Sequence, residues 1–264
     1  MAFTIPAGSS KTLLGVLHLA PLPGSPGAIP IDEILRRALA DADVLASAGF
    51  DGFIVENFGD APFFPEQVPP ETVACMTRVA CAVRAAHPHK SLGINVLRND
   101  AASALAVAAA AGAEFIRVNV HVGVAYADQG QLQGRAYDTL RRRAALGVPV
   151  AIAADVGVKH ATFPPGFDLL QSAKDTAYRG LADALIVSGR ATGQSAALDD
   201  LRTVREAVPD RPLLVGSGAT EKTAHALLEH ADGIIVGTSI KHDMRVHAPV
   251  DPARASAFIA HARG

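Results

Sequence analysis

Tryptophan is absent from this chain, and cysteine occurs only twice, at Cys75 and Cys81. The two lie six residues apart on one expected helix and on different faces of it, so they are poorly placed to pair. No CxxC spacing offers zinc a site. An excess of charge is missing too: 24 Lys and Arg against 26 Asp and Glu leave a net charge of −2. No basic excess points to nucleic acid, and no run of like charge suggests an interaction tail. No apolar run is long enough to span a bilayer. The start, "MAFTIPAGSSK", has neither the basic nor the apolar region of a signal peptide. A reduced, cytoplasmic protein is expected. What remains is an ordinary globular composition, 49% hydrophobic over 264 residues, long enough to bury a large core.

One phrase repeats along the chain: a short apolar run, a Gly/Pro/Asn-rich loop, then an amphipathic helix. The runs are 13–18, 52–56, 92–97, 115–120, 148–155, 182–188, 212–216 and 232–237. Between them, "DEILRRALADADVLASAG" carries apolar residues at helical spacing and stops on Gly49. "PETVACMTRVACAVRAAH" opens with Pro70 in the first turn, and the helix within "ATEKTAHALLEHA" begins after Thr220, an N-cap residue type. Strict β-α alternation implies parallel strands covered by helices, and eight units close a (β/α)8 TIM barrel. An open doubly wound sheet is the runner-up. It usually begins with a Gly-rich dinucleotide turn, whereas here the first run enters "HLAPLPGSPGA". No linker divides the chain, so residues 1–264 are expected to form one domain, with 1–10 as a flexible extension.

In such a barrel one face of each strand fills the interior, and sites lie at the C-terminal ends. The fourth run, "FIRVNVH", then turns Ile116, Val118 and Val120 toward the helices. Phe115, Arg117, Asn119 and His121 face inward. The fifth run offers small Ala151 and Ala153 beside Arg117, and ends inward on Asp155. His18, Glu56 and Ser188 end other runs, Asn95 lies on the inward face of the third, and Asn57 follows Glu56. Any one buried polar residue is more often structural than chemical. Polar ends on six strands, with two carboxylates and an arginine, would be a costly way to fill a core.

The seventh run enters "VGSGAT" and the eighth enters "VGTSIK". Phosphate sites in these barrels are built from those two loops and a helix N-terminus. Gly216, Ser217, Gly218, Gly237, Thr238 and Ser239 are therefore the expected phosphate-binding set. The loops 18–28 and 56–70 are long and proline-rich, and Phe58, Phe63 and Phe64 suit either a lid or a dimer contact. A homo-oligomer is expected. "DVGVKHATFPPG" adds Lys159, an anion-binding or nucleophilic candidate, and His160.

At these residues the sequence resembles the BtpA/SgcQ family, on "GVLHLAPLPGSP", "DGFIVENFGDAPF", "GINVLRNDA", "GAEFIRVNVHVG", "RGLADALIVSGRATG", "LLVGSGAT" and "DGIIVGTSIK". The matching stretches run in order through nearly the whole chain. The resemblance implies a TIM-type barrel similar to the ribulose-phosphate-binding barrels. Its namesakes point two ways, to photosystem I biogenesis and to genes of sugar uptake. A nucleoside-triphosphatase label gains nothing from this chain, which carries no Walker-type phosphate loop. Two functions follow as expectations. The first is an enzyme acting on a small phosphorylated sugar or nucleotide-like ligand, as an isomerase, lyase or glycosidic-bond hydrolase. Its catalytic set would be Glu56, Asp155, Arg117, Asn119 and Lys159, with His18, Asn57, Asn95, His121, His160 and Ser188 binding substrate. The second is a non-catalytic assembly factor for a membrane complex. No cofactor is expected. A divalent metal among Glu56, Asp155, His121 and His160 is chemically compatible, but no diagnostic ligand spacing supports it.

Overall fold

The computed structural model describes residues 11–158, 161–189 and 198–264. The expected extension 1–10, Lys159, His160 and most of the glycine-rich loop after Ser188 lie outside the described residues. The chain runs β1 (Thr12–His18), α1 (Ile31–Ala48), β2 (Gly52–Glu56), α2 (Pro70–Ala86), β3 (Ser91–Asn95), α3 (Ala101–Ala111) and β4 (Phe115–Val118). A hairpin follows, β5 (Val124–Ala127) and β6 (Gly130–Gln133), then α4 (Ala136–Leu146). The second half is β7 (Ala151–Val156), α5 (Leu169–Lys174), β8 (Ala184–Val187), α6 (Leu198–Ala207), β9 (Leu213–Val215), α7 (Glu221–Leu228), β10 (Gly233–Val236) and α8 (Pro252–Arg263). Eight parallel strands close in the order β1-β10-β9-β8-β7-β4-β3-β2, and the antiparallel pair β5-β6 stands apart. This is a single-domain TIM barrel.

Local chemistry sets the boundaries. α1 ends because Gly49 adopts φ 100°, a left-handed cap that closes the last turn. α3 and α8 begin where Asp100 and Asp251 accept backbone N–H groups of their first turns. Thr220 and Thr223 form a reciprocal capping box at the start of α7.

Strand parity divides the core in two. Ile116, Val118, Ile152 and Ala154 join the large cluster between strands and helices. Phe115, Ala151, Ala153, Leu14, Ile54, Ile186, Leu214 and Ile235 form a second cluster inside the barrel. Gly93 and Phe115 are register partners on neighbouring strands. A Cβ on Gly93 would lie 2.2 Å from the Phe115 ring, so the glycine is the space that the ring occupies. That ring closes the barrel floor beneath the mouth.

The opposite end carries a fourfold device. Asp51, Glu114, Asp183 and Asp232 each stand before a strand and accept the N–H of Leu13, Leu92, Ile152 and Leu213 on the neighbouring one, at 2.7–2.8 Å. Each carboxylate also pairs with an arginine from the end of a helix: Arg263, Arg84, Arg143 and Arg205 respectively. The repeat spans two βα units, so these contacts stitch helix ends to strand starts around the whole base. They belong to stability, away from the mouth.

Gly93→Ala should destabilise the fold by about 1–3 kcal/mol through overpacking. Phe115→Ala should cost about 3–5 kcal/mol. Combined with Phe115→Leu, Gly93→Ala should cost clearly less than the sum of the two single changes, because the clash disappears. Urea denaturation of the single and double variants checks this. Simple additivity would count against the packing described.

Candidate functional site

The C-terminal strand ends bring most of the expected polar residues together. His18, Glu56 and Asn95 lie side by side in register on β1, β2 and β3. Asn95 Nδ2 donates to Glu56 Oε2 at 2.7 Å, and His18 Nε2 stands 3.7 Å from Glu56 Oε1. Phe58 of the second loop packs on the His18 ring, with centroids 4.8 Å apart.

Across the mouth, Arg117 meets Asp155 through two bonds, Nε to Oδ2 at 2.9 Å and Nη2 to Oδ1 at 3.0 Å. Asn119 Nδ2 donates to Oδ2 at 2.9 Å and Ser188 Oγ to Oδ1 at 3.0 Å. Each Asp155 oxygen thus accepts two hydrogen bonds, which fills the acceptor capacity of a carboxylate. Burial opposes the charge on Arg117. The attraction and hydrogen bonds of Asp155, with Glu56 adding to them, outweigh it and raise the guanidinium pKa. Small Ala153 stands opposite Arg117 on β7, leaving the room that a long side chain needs inside a barrel.

Arg117, Glu56 and His18 also line a cavity of about 280 Å³. Its far wall is the pair of expected phosphate loops, Gly216–Thr220 and Gly237–Ser239. Two of their glycines serve close packing. A Cβ on Gly216 would lie 2.5 Å from Ser188 Oγ and 3.1 Å from Arg117 Nη2, and one on Gly237 would lie 2.5 Å from His18 Cε1. Gly218 holds φ 77°, a conformation that favours glycine. Ser239 Oγ donates to Ala219 O at 2.7 Å and ties the two loops together. Ser217 Oγ is buried and has no protein partner.

Three expected residues sit differently. Asn57 is consumed by the second and third loops, accepting from Leu97 N at 2.7 Å and donating to Asp60 at 3.1 Å. His121 lies beyond the end of β4, where strand alternation no longer applies, and its Nε2 meets the Gly180 carbonyl at 2.8 Å. Burial lowers its pKa, with the Gly180 carbonyl opposing. Lys159 and His160 fall outside the described residues. Among the described residues no group of three or more His, Cys, Asp or Glu could hold a metal ion. Sequence reasoning passed over Arg98, which is buried one residue out of phase with the inward set. Burial lowers its pKa against the opposing pull of Asp155, Asp128 and Glu56.

The sequence matches the BtpA family over residues 9–264. The chain belongs to the BtpA family. It is 45% identical to the photosystem I biogenesis protein BtpA of Synechocystis over 94% of this chain and 86% of that one. It is 44% identical to an uncharacterized protein of Pyrococcus furiosus, covering 95% and 94% of the two chains. Among solved structures, Mycobacterium tuberculosis tryptophan synthase superposes with a TM-score of 0.63 at 17% identity, covering 97% and 93% of the chains. Thiamine phosphate pyrophosphorylase from Pyrococcus furiosus gives 0.61 at 13% identity, covering 95% of both. These likenesses establish the barrel of this BtpA-family chain. Among the described residues no helix is long and apolar enough to cross a membrane.

Asp155→Asn should destabilise the fold by about 3–5 kcal/mol, because it leaves Arg117 buried against a neutral partner. Replacing both, as Arg117→Met with Asp155→Leu, should recover much of that loss in thermal unfolding. His121 sets a pH dependence of definite sign. The unfolded chain binds its proton near the ordinary value of 6.5, while the folded state resists it. Stability should therefore fall as pH drops below about 6.5. His121→Gln should flatten that slope between pH 7 and 5, measured as urea midpoints.

Proposed function

We propose that this BtpA-family barrel is an enzyme that acts on a small phosphorylated sugar or nucleotide-like substrate by proton transfer at the mouth. The observation that carries the reading is the cavity itself, which joins a partnerless Ser217 hydroxyl and two glycine-rich loops to Glu56 and Arg117. Anions bind where backbone N–H groups and a helix N-terminus converge, and α7 begins at this wall. Printed titles of barrels with the same fold name phosphorylated compounds, as in phosphoribosyl anthranilate isomerase and thiamine phosphate pyrophosphorylase. That supports a phosphate end in this chain as well.

The roles of the two carboxylates then divide. Asp155 is saturated and holds Arg117, so it positions rather than transfers protons. Glu56 lines the cavity; its Oε2 receives one bond from Asn95, and its Oε1 stands 3.7 Å from His18 Nε2. A carboxylate and an imidazole side by side can pass a proton to and from a bound substrate, which suits isomerisation or lyase cleavage. Arg117, whose Nη1 lies 3.4 Å from Gly216 O, brings fixed positive charge to the boundary between phosphate loop and reacting centre. A binding platform without chemistry is the competing reading, favoured by the name of the Synechocystis relative.

Inorganic phosphate should raise the melting temperature by mass action, by the equivalent of about 2.7 kcal/mol at a hundred times the dissociation constant. Ser217→Ala should weaken that stabilisation and Gly218→Val should abolish it. With a substrate found by screening phosphorylated pentoses and nucleotides, Glu56→Gln should lower kcat by ~10²–10⁴ and leave phosphate binding intact. Unchanged turnover in that variant would remove Glu56 from the chemistry.

A further inference from the structure

A second cavity of about 290 Å³ lies on the other side of the Arg117–Asp155 pair. Asp155 and Asn119 form its wall toward the barrel, and the loop after β7 and the start of the β5–β6 hairpin form the outer side. Phe163 and Phe167 stack at 4.2 Å within that loop. Tyr126 and Thr162 exchange two backbone hydrogen bonds of 2.8 Å, which clamps the loop to the hairpin. Phe163 packs on the small cluster of Val120, Ala125, Leu132 and Val158, so the wall is a supported surface.

Asn119 supplies the polar feature. The residue is 4% exposed, its Nδ2 is committed to Asp155, and its Oδ1 has no protein partner. A buried acceptor without a donor is costly, of order 1–3 kcal/mol, unless a ligand supplies the hydrogen. The charge of the lining is informative as well. Asp155, Asp168 and Asp175 border the cavity, and none of the described residues lining it is basic. The described part of the lining is therefore acidic, in contrast to the glycine-rich loops that the phosphate reading of the first cavity invokes.

We propose that the second cavity binds the unphosphorylated end of the substrate, an aromatic ring that presents an N–H or O–H group to Asn119 Oδ1. Phe163 and the adjoining prolines give such a ring a flat apolar wall, and the volume exceeds that of a single six-membered ring. The inference rests on the phosphate reading of the first cavity and extends it, since Arg117 touches one space and its partner Asp155 the other. A substrate spanning both would place its reacting bond beside the ion pair.

The test uses three neutral probes, phenol, adenine and toluene, titrated against the intact protein by ligand-observed NMR, with inorganic phosphate titrated separately. Phenol or adenine should bind, and toluene, which lacks the donor, should bind about tenfold more weakly than the better of the two. The better probe distinguishes a phenol-type ring from a nucleobase-type ring. Val124→Trp should abolish that binding and leave stabilisation by phosphate unchanged. Gln171→Trp, at an exposed position on α5, should do the same without disturbing the hairpin. Binding of toluene equal to that of phenol and adenine, no binding of any probe, or undiminished binding in both variants would overturn the proposal. Phosphate stabilisation without probe binding defeats this inference alone. Probe binding without phosphate stabilisation defeats the phosphate reading and leaves the second cavity supported.

Discussion

The bidentate pair of Arg117 and Asp155 is the interaction around which the mouth is organised. A guanidinium inside a barrel needs a counter-charge, a filled hydrogen-bond shell and space. Asp155 supplies the first, and its own shell is completed by Asn119 and Ser188. The space comes from residues that are small for this reason: Ala153 on β7 and Gly216 after β9, where a Cβ would approach Arg117 and Ser188. Residues from β4, β7 and the loops after β8 and β9 thus depend on one ion pair. None of them can be altered without consequence for the others.

The pair also separates two kinds of space. On one side lies the cavity bounded by Glu56, His18, Ser217 and the two glycine-rich loops; on the other lies the cavity between Phe163 and the acidic residues Asp155, Asp168 and Asp175. Among the buried oxygens without a protein partner, one belongs to a residue lining each cavity. Ser217 Oγ can donate to an anion, and Asn119 Oδ1 can only accept.

Much of this was legible in the sequence because strand alternation is a strict rule. The polar set in "FIRVNVH" placed Arg117 and Asn119 inward, and the alanines of the next run marked the room beside them. The rule fails where the strand stops. β4 ends at Val118, so His121, three residues on, follows the loop out to Gly180. Asn57, one residue past β2, is likewise a loop brace. The β5–β6 hairpin was missed, although "VAYADQGQLQ" alternates around a Gly-containing turn. The fourfold carboxylate ring was written in plain form as "GFDGFI", "GAEFI", "LADALI" and "HADGII", an acidic residue entering every second strand. Neither carboxylate saturation nor orphaned oxygens can be read from sequence, because both depend on side chains brought together from distant strands.

The central claim is that the cavity beside Ser217 and the two glycine-rich loops is the one that takes an anion, with the Arg117–Asp155 pair as its border. Crystals grown with inorganic phosphate test it directly. The account predicts one tetrahedral anion bounded by Ser217 Oγ and the loops at Gly218–Thr220 and Thr238–Ser239, with the Arg117–Asp155 pair intact beside it. An anion seated instead between Asn119 and Phe163, or a phosphate that draws Arg117 away from Asp155, would contradict it.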